Sequence, residues 1–105
     1  MSEAWVYILR CADGSLYTGW STDVNRRLAQ HRAGSASAYT ASRLPVELEY
    51  VAAMADRGSA LREEARIKAL DRPRKLALIA GRGSDEVGPR RPRGRGGGVR
   101  ASVRA

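Results

Sequence analysis

Three stretches of the chain crowd apolar residues in strand-like runs, and three others repeat them at helical spacing. Ala4–Arg10 is dense in aromatic and β-branched residues, the composition of a strand covered on both faces. Ala12-Asp13-Gly14 is a turn signal, and Ser15–Trp20 is a second strand, so the chain should open with a β-hairpin. Ser21-Thr22-Asp23 offers a cap, and Val24, Leu28 and Ala29 form an apolar stripe on a helix from about Asp23 to Arg32 that stops at Gly34. Ser35–Leu44 is small and polar before Pro45 and is expected to be an exposed loop. Val46–Met54 is a third strand. Ser59 is positioned to cap a helix through Leu70. Asp71 is positioned to cap another from Arg72, with Pro73 in its first turn and Gly81 at its close. The order β-β-α-β-α-α predicts an α+β domain with a small three-stranded antiparallel sheet flanked by helices.

The loop of the hairpin decides which side chains can meet. A two-residue Asp-Gly turn puts Tyr7 and Tyr17 on opposite faces of the sheet. A three-residue loop with Gly14 left-handed puts both on one face. Nothing local chooses between them, but a site shared by both tyrosines requires the second, and an odd loop is therefore predicted.

Composition divides the chain. From Arg82 onward the last 24 of 105 residues hold seven Arg, six Gly and two Pro, with two acids. Three valines and two alanines cannot offset the entropy of ordering such a segment. The expected organisation is a domain over residues 1–81 and a flexible Arg/Gly-rich tail over 82–105. The formal net charge is +8, of which the tail carries +5. Charge gathered on an arm points to a polyanion, with nucleic acid the first candidate. A single cysteine, Cys11, excludes an internal disulfide and a cysteine-based zinc site. Neither a signal peptide nor a membrane span opens the chain, and a cytoplasmic protein with no membrane partner is expected.

The candidate chemistry lies in four residue types. Two tyrosines flank the hairpin, Arg27 and His31 sit four apart on one helical face, and Glu64 lies on a later helix. A lone carboxylate suits a hard cation that keeps most of its ligands as water and phosphate. A guanidinium neutralises charge developing on phosphoryl oxygens, and a phenol or imidazole orients or deprotonates water. Each residue also has a plainer reading. Tyr7 and Tyr17 could be sheet aromatics, Arg27 a solvated cation, and His31 a helix C-terminal histidine favoured by the dipole. Glu64 could simply pair with Lys68.

Taken together these residues resemble the GIY-YIG nucleases. Val6-Tyr7 followed by Tyr17-Thr18-Gly19 is similar to the paired signature, and Thr22–His31 to the helix with the arginine and a histidine one turn on. Ala60–Lys68 is similar to the metal-binding helix, with Glu64 rather than Glu63 at the Glu-x-x-Ile-Lys spacing of the small stand-alone bacterial members. The resemblance covers residues 4 to about 81 and departs at several positions. Trp5 replaces the glycine of the first signature and Thr18 the isoleucine of the second. Ser35 and Ala38 stand where small members carry lysines, and the only Asn is Asn25.

The resemblance implies a metal-dependent endonuclease hydrolysing DNA, with structured, damaged and single-stranded DNA as candidate substrates and Mg²⁺ or Mn²⁺ as cofactor. Tyr7 is implied as general base or water-positioning group, with Tyr17 in the same cluster. Arg27 stabilises the transition state, His31 supports it or serves as an alternative base, and Glu64 binds the metal. Gly19 is implied to let backbone approach the phosphate. Arg26, Tyr39 and Arg43 are further candidates for nucleic-acid contact. The alternative is a non-catalytic nucleic-acid-binding module that uses the same fold and the basic tail.

Overall fold

A computed structural model describes residues 3–81, so the expectations for the tail fall outside the described residues. The elements are β1 (Ala4–Arg10), β2 (Leu16–Ser21), α1 (Val24–Arg32), α2 (Ala38–Ala41), β3 (Glu47–Met54), α3 (Arg57–Lys68) and α4 (Arg72–Gly81). The sheet is antiparallel in the order β2-β1-β3, which makes the most apolar strand the central one. This is the α+β architecture expected, with one helix added.

The hairpin has the odd loop. Cys11 N–H donates to Ser15 O at 2.9 Å around Ala12-Asp13-Gly14, and Gly14 has φ +86°. Asp13 Oδ1 accepts from the Ser15 amide at 3.0 Å and closes the turn from the side. Leu9 therefore pairs with Tyr17, and Tyr7 with Gly19, so both tyrosines lie on one face.

Because β1 is central, both of its faces are buried. Ala4, Val6 and Ile8 pack with Tyr50 of β3 and with Ala60, Ile67 and Ile79 of α3 and α4. Tyr7, Leu9 and Cys11 pack on the opposite face with Val46, Leu48, Val24 and Leu28. A bulge in β3 makes this possible. Ile8 pairs with Tyr50 but Leu9 with Leu48, so Glu49 is left over and two even-numbered residues serve opposite faces. The Glu49 carboxylate meets Arg10 at 3.3 Å. One buried side chain is poorly served: the Thr18 hydroxyl has no partner among the described residues, which costs stability.

Two expectations need correction. Asp56, not Ser59, caps α3, its side chain accepting from the Ser59 amide at 2.7 Å, so the helix begins at Arg57. Asp, like Ser, can satisfy the third amide of a helix. Gly58, which resembles a breaker, is tolerated in a first turn where the backbone is already held by the cap. The second correction is that the segment 35–44 is not wholly an exposed loop. Ser37 caps the short helix α2 by accepting from the Thr40 amide at 3.2 Å, and Thr40 is fully buried.

Candidate active site

Tyr7 sits in the middle of β1 and its ring lies across Gly19, its cross-strand neighbour. A Cβ at position 19 would fall 2.6 Å from the Tyr7 hydroxyl oxygen and 2.7 Å from Cζ, so only glycine leaves room for the phenol there. The ring thus points over β2, an edge strand, and carries the hydroxyl from the centre of the sheet toward its rim. The hydroxyl is 2.8 Å from His31 Nε2.

His31 owes its place to the way α1 ends. Gly34, with φ +80°, lets its amide donate to His31 O at 3.0 Å while the Ser35 amide donates to Gln30 O at 2.9 Å. This pair of bonds is a Schellman closure, and it fixes the last turn over the sheet. The imidazole is 1 % exposed and lies edge-on to both Tyr7 and Tyr17, with ring centroids 5.7 and 5.2 Å away. Its other nitrogen, Nδ1, is 2.8 Å from Thr40 Oγ1. A surface-lying C-terminal histidine is thereby excluded.

Electrostatics link this cluster to two further side chains. Burial, the chief cause, pushes the Tyr7 phenol up to about 12. Tyr17 and the Glu64 carboxylate add to the rise, and the Arg27 guanidinium opposes it by charge and hydrogen bonding. Arg27 is half-buried one turn before His31, and it lines a surface depression with Trp20, Ser21, Thr22 and Arg57. Glu64 comes from α3, which packs on the other face of the sheet. Its field reaches the phenol because α3 lies against the edge strand β2 and the phenol extends over that strand. The site is therefore at a sheet edge, supplied from both layers.

The neighbouring carboxylate is not equivalent. Glu63 is forked onto Arg66, at 2.9 and 2.6 Å, and that partner holds its carboxyl below the usual range. Among the described residues Glu64 has only Lys68, at 3.5 Å. A fork adds geometry and strength that a single ammonium contact does not, so Glu64 is the carboxylate more easily recruited by a ligand.

The other expected contacts are placed differently from one another. Arg26 is exposed, a residue away from Arg27 and so on another side of the helix. Tyr39 stacks on Tyr17 with ring centroids 5.8 Å apart. The Arg43 guanidinium lies 3.8 Å over the Tyr39 ring and donates to Asp13 Oδ2 at 3.1 Å and to Tyr39 O at 2.9 Å. Arg43 thus clasps α2 to the hairpin turn and shores up the tyrosine pair from outside. Three neighbours were missed from the sequence: Ser37, Thr40 and Arg57. The serine three residues before Thr40 was a legible capping signal. Nothing local pointed to Arg57.

The imidazole also sets a pH response. Burial, and after it Arg27, holds His31 below its ordinary 6.5. On acidification the unfolded chain therefore binds the proton first, so the associated stability is full above pH 6.5 and is lost as pH falls through the folded value. Asp13, Asp56 and Glu63 are held low as well, but from ordinary values of 3.8, 3.8 and 4.5, so their losses come at more acid pH. Urea unfolding should show stability falling from pH 6.5 downward before the carboxylates titrate. A His31→Gln variant should be flat over that interval. A native protein equally flat there contradicts the assignment.

The chain is similar in sequence and fold to known proteins. The model of the GIY-YIG catalytic domain matches residues 3–77. The chain is 47 % identical over 74 residues to a UPF0213 protein of Halobacterium salinarum, covering 70 % of this chain and 96 % of that one. It is 47 % identical over 76 residues to a UPF0213 protein of Streptococcus agalactiae, covering 72 % and 86 %. The solution NMR structure of a UPF0213 protein from Bacillus halodurans is similar with a TM-score of 0.51 at 41 % identity, covering 76 % of this chain and 85 % of that one.

Proposed function

This chain belongs to the GIY-YIG family, and from that premise we propose that it is a metal-dependent endonuclease hydrolysing DNA phosphodiester bonds. The family is one of nucleases, generally metal-dependent, with nucleic acid as substrate. The observation that carries the finer reading is the environment of one atom. The Tyr7 hydroxyl is 2.8 Å from His31 Nε2 and lies within the fields of Tyr17, Arg27 and Glu64.

In this reading the phosphate sits beside Arg27, at the rim of the depression that also holds Arg57. Water attacks phosphorus, its proton passes to the Tyr7 oxygen, and the Tyr7 proton moves to His31 Nε2. A P–O bond forms to the water oxygen and the ester P–O bond on the opposite side breaks, its oxygen taking a proton from solvent. Tyr7 cannot act as a preformed phenolate, since its pKa of about 12 keeps it protonated near neutrality. The hydrogen-bonded imidazole supplies the basicity that the phenol lacks. Arg27 holds the charge that builds on the phosphoryl oxygens.

The donor set fits a loosely held hard cation. Among the described residues no group of three or more His, Cys, Asp or Glu could hold a metal, and both His31 nitrogens are engaged. One carboxylate, Glu64, is what Mg²⁺ or Mn²⁺ needs when most of its ligands are water and phosphate. When bound there, the ion would neutralise phosphoryl charge. Glu64 would be the side chain that holds it.

The test is nicking of supercoiled plasmid by purified protein. Cleavage should require Mg²⁺ and should vanish in Glu64→Gln while the thermal unfolding curve stays in place, because among the described residues Glu64 pairs with Lys68 alone. Undiminished nicking by that variant refutes the assignment.

A further inference from the structure

We propose that Thr40, oriented by Ser37, is a positioning residue that fixes the tautomer of His31 and thereby turns the Tyr7 proton inward. The catalytic consequence rests on the function proposed above; the tautomer does not. Thr40 is fully buried, and its hydroxyl oxygen lies 2.8 Å from His31 Nδ1. On its other side it meets Ser37 Oγ at 2.9 Å and Ser37 O at 3.4 Å. Tyr7, His31, Thr40 and Ser37 thus form one continuous row of hydrogen bonds, drawn from β1, α1 and α2.

A neutral imidazole in that row donates from one nitrogen and accepts at the other, and its two neighbours decide which. Protons can run in either direction along the row. In one, Tyr7 donates to Nε2, Nδ1–H donates to Thr40, and Thr40 donates to Ser37. In the other every bond is reversed, and Nε2–H donates to Tyr7. The first is favoured by the chemistry of the two hydroxyls. A phenol is a far better donor than an aliphatic alcohol, and its oxygen is a poorer acceptor because a lone pair is shared with the ring. The Ser37 carbonyl, which can only accept, also draws the Thr40 proton its way.

The direction matters at the open end of the row. With the Tyr7 proton on the His31 side, the phenol oxygen presents lone pairs to the site and can take a proton from water. With Nε2 protonated, the phenol proton is turned outward and the same oxygen becomes a donor. Thr40 holds the productive arrangement without touching substrate. Replacing its hydroxyl by a methyl group leaves Nδ1–H buried without an acceptor, which drives the proton to Nε2.

The chain has one histidine, so its imidazole nitrogens can be read without ambiguity. In ¹⁵N-labelled full-length protein near neutral pH, two-bond ¹H–¹⁵N spectra should show Nδ1 protonated and Nε2 bare. Thr40→Val should move the population toward protonated Nε2, and Thr40→Ser, which keeps the hydroxyl, should restore the native pattern. In plasmid nicking, kcat should fall roughly tenfold to a hundredfold in Thr40→Val with KM little changed, and Thr40→Ser should recover it. Protonated Nε2 in the native protein, or an unaltered pattern in Thr40→Val, overturns the proposal. Should Thr40→Val fail to fold, the native spectrum alone still decides. A native protein with protonated Nδ1 that cleaves nothing upholds the positioning role and discards the nuclease reading.

Discussion

Arg27→Ala is expected to lower kcat for DNA nicking by about two to three orders of magnitude, the usual cost of removing one donor aimed at developing oxyanion charge. The half-buried guanidinium sits on the face of α1 that also presents His31, and it lines the open depression beside the edge strand. Its charge lowers both Tyr7 and His31, so its loss also lets the phenol rise further from the range in which it can give up a proton. The fold should not suffer. Arg27 makes no ion pair with an acidic side chain among the described residues, and removing its charge relieves His31. Arg27→Lys should recover only part of the rate, because an ammonium keeps the charge but not the planar fork that suits two phosphoryl oxygens. Steady-state rates with saturating Mg²⁺ measure this. An alanine variant within threefold of the native rate would remove Arg27 from the chemistry.

Gly19→Ala is expected to do two kinds of damage at once. The new methyl group would stand 2.6 Å from the Tyr7 hydroxyl oxygen and 2.7 Å from Cζ. The obstructing atoms belong to a ring that is 2 % exposed and tied to His31, not to the free end of a flexible chain. The ring must swing off its rotamer or β2 must shift, and overpacking of that sort costs about 1–3 kcal/mol. In a domain of this size the melting temperature should drop by roughly 4–8 °C for each kcal/mol. Cleavage should fall to the level of Tyr7→Phe, since the phenol no longer reaches its partners. A double-mutant cycle separates the effects. In a Tyr7→Ala background the Gly19→Ala penalty in stability should largely vanish. Full additivity of the two stability losses would show that the ring does not constrain position 19.

How much of this could be read from the chain varies with the physical signal. The hairpin was legible down to the parity of its loop once a shared tyrosine site was demanded, and Gly14 supplies the left-handed residue that parity needs. Position 19 was named for close approach of backbone to phosphate, whereas the glycine's visible task is to make room for Tyr7. That contact crosses strands and depends on register, which no local pattern contains. The bulge at Glu49, which turns Leu48 and Tyr50 to opposite faces, is hidden for a similar reason. Helix α2 was hidden by composition: Ala38, Thr40 and Ala41 carry no apolar stripe, and the segment is ordered by a cap and a buried hydrogen bond. Arg43 was named as a candidate for nucleic-acid contact, and its tie to Asp13 was not legible because the two lie thirty positions apart. Glu64 was preferred to Glu63 through the family resemblance. Its arrival from the opposite layer of the sheet was not foreseeable, since the outward reach of the Tyr7 ring across an edge strand is what brings the phenol within the field of Glu64.

Addition of substoichiometric Mn²⁺ to ¹⁵N-labelled protein, followed by amide line broadening, asks most directly whether a phosphate-bearing metal has a home at this edge. Broadening is expected to be steepest around Glu64 and next at Gly19 and Arg27, and to disappear in Glu64→Gln. Broadening centred instead on Asp13 or Asp71, or unchanged by Glu64→Gln, would contradict it.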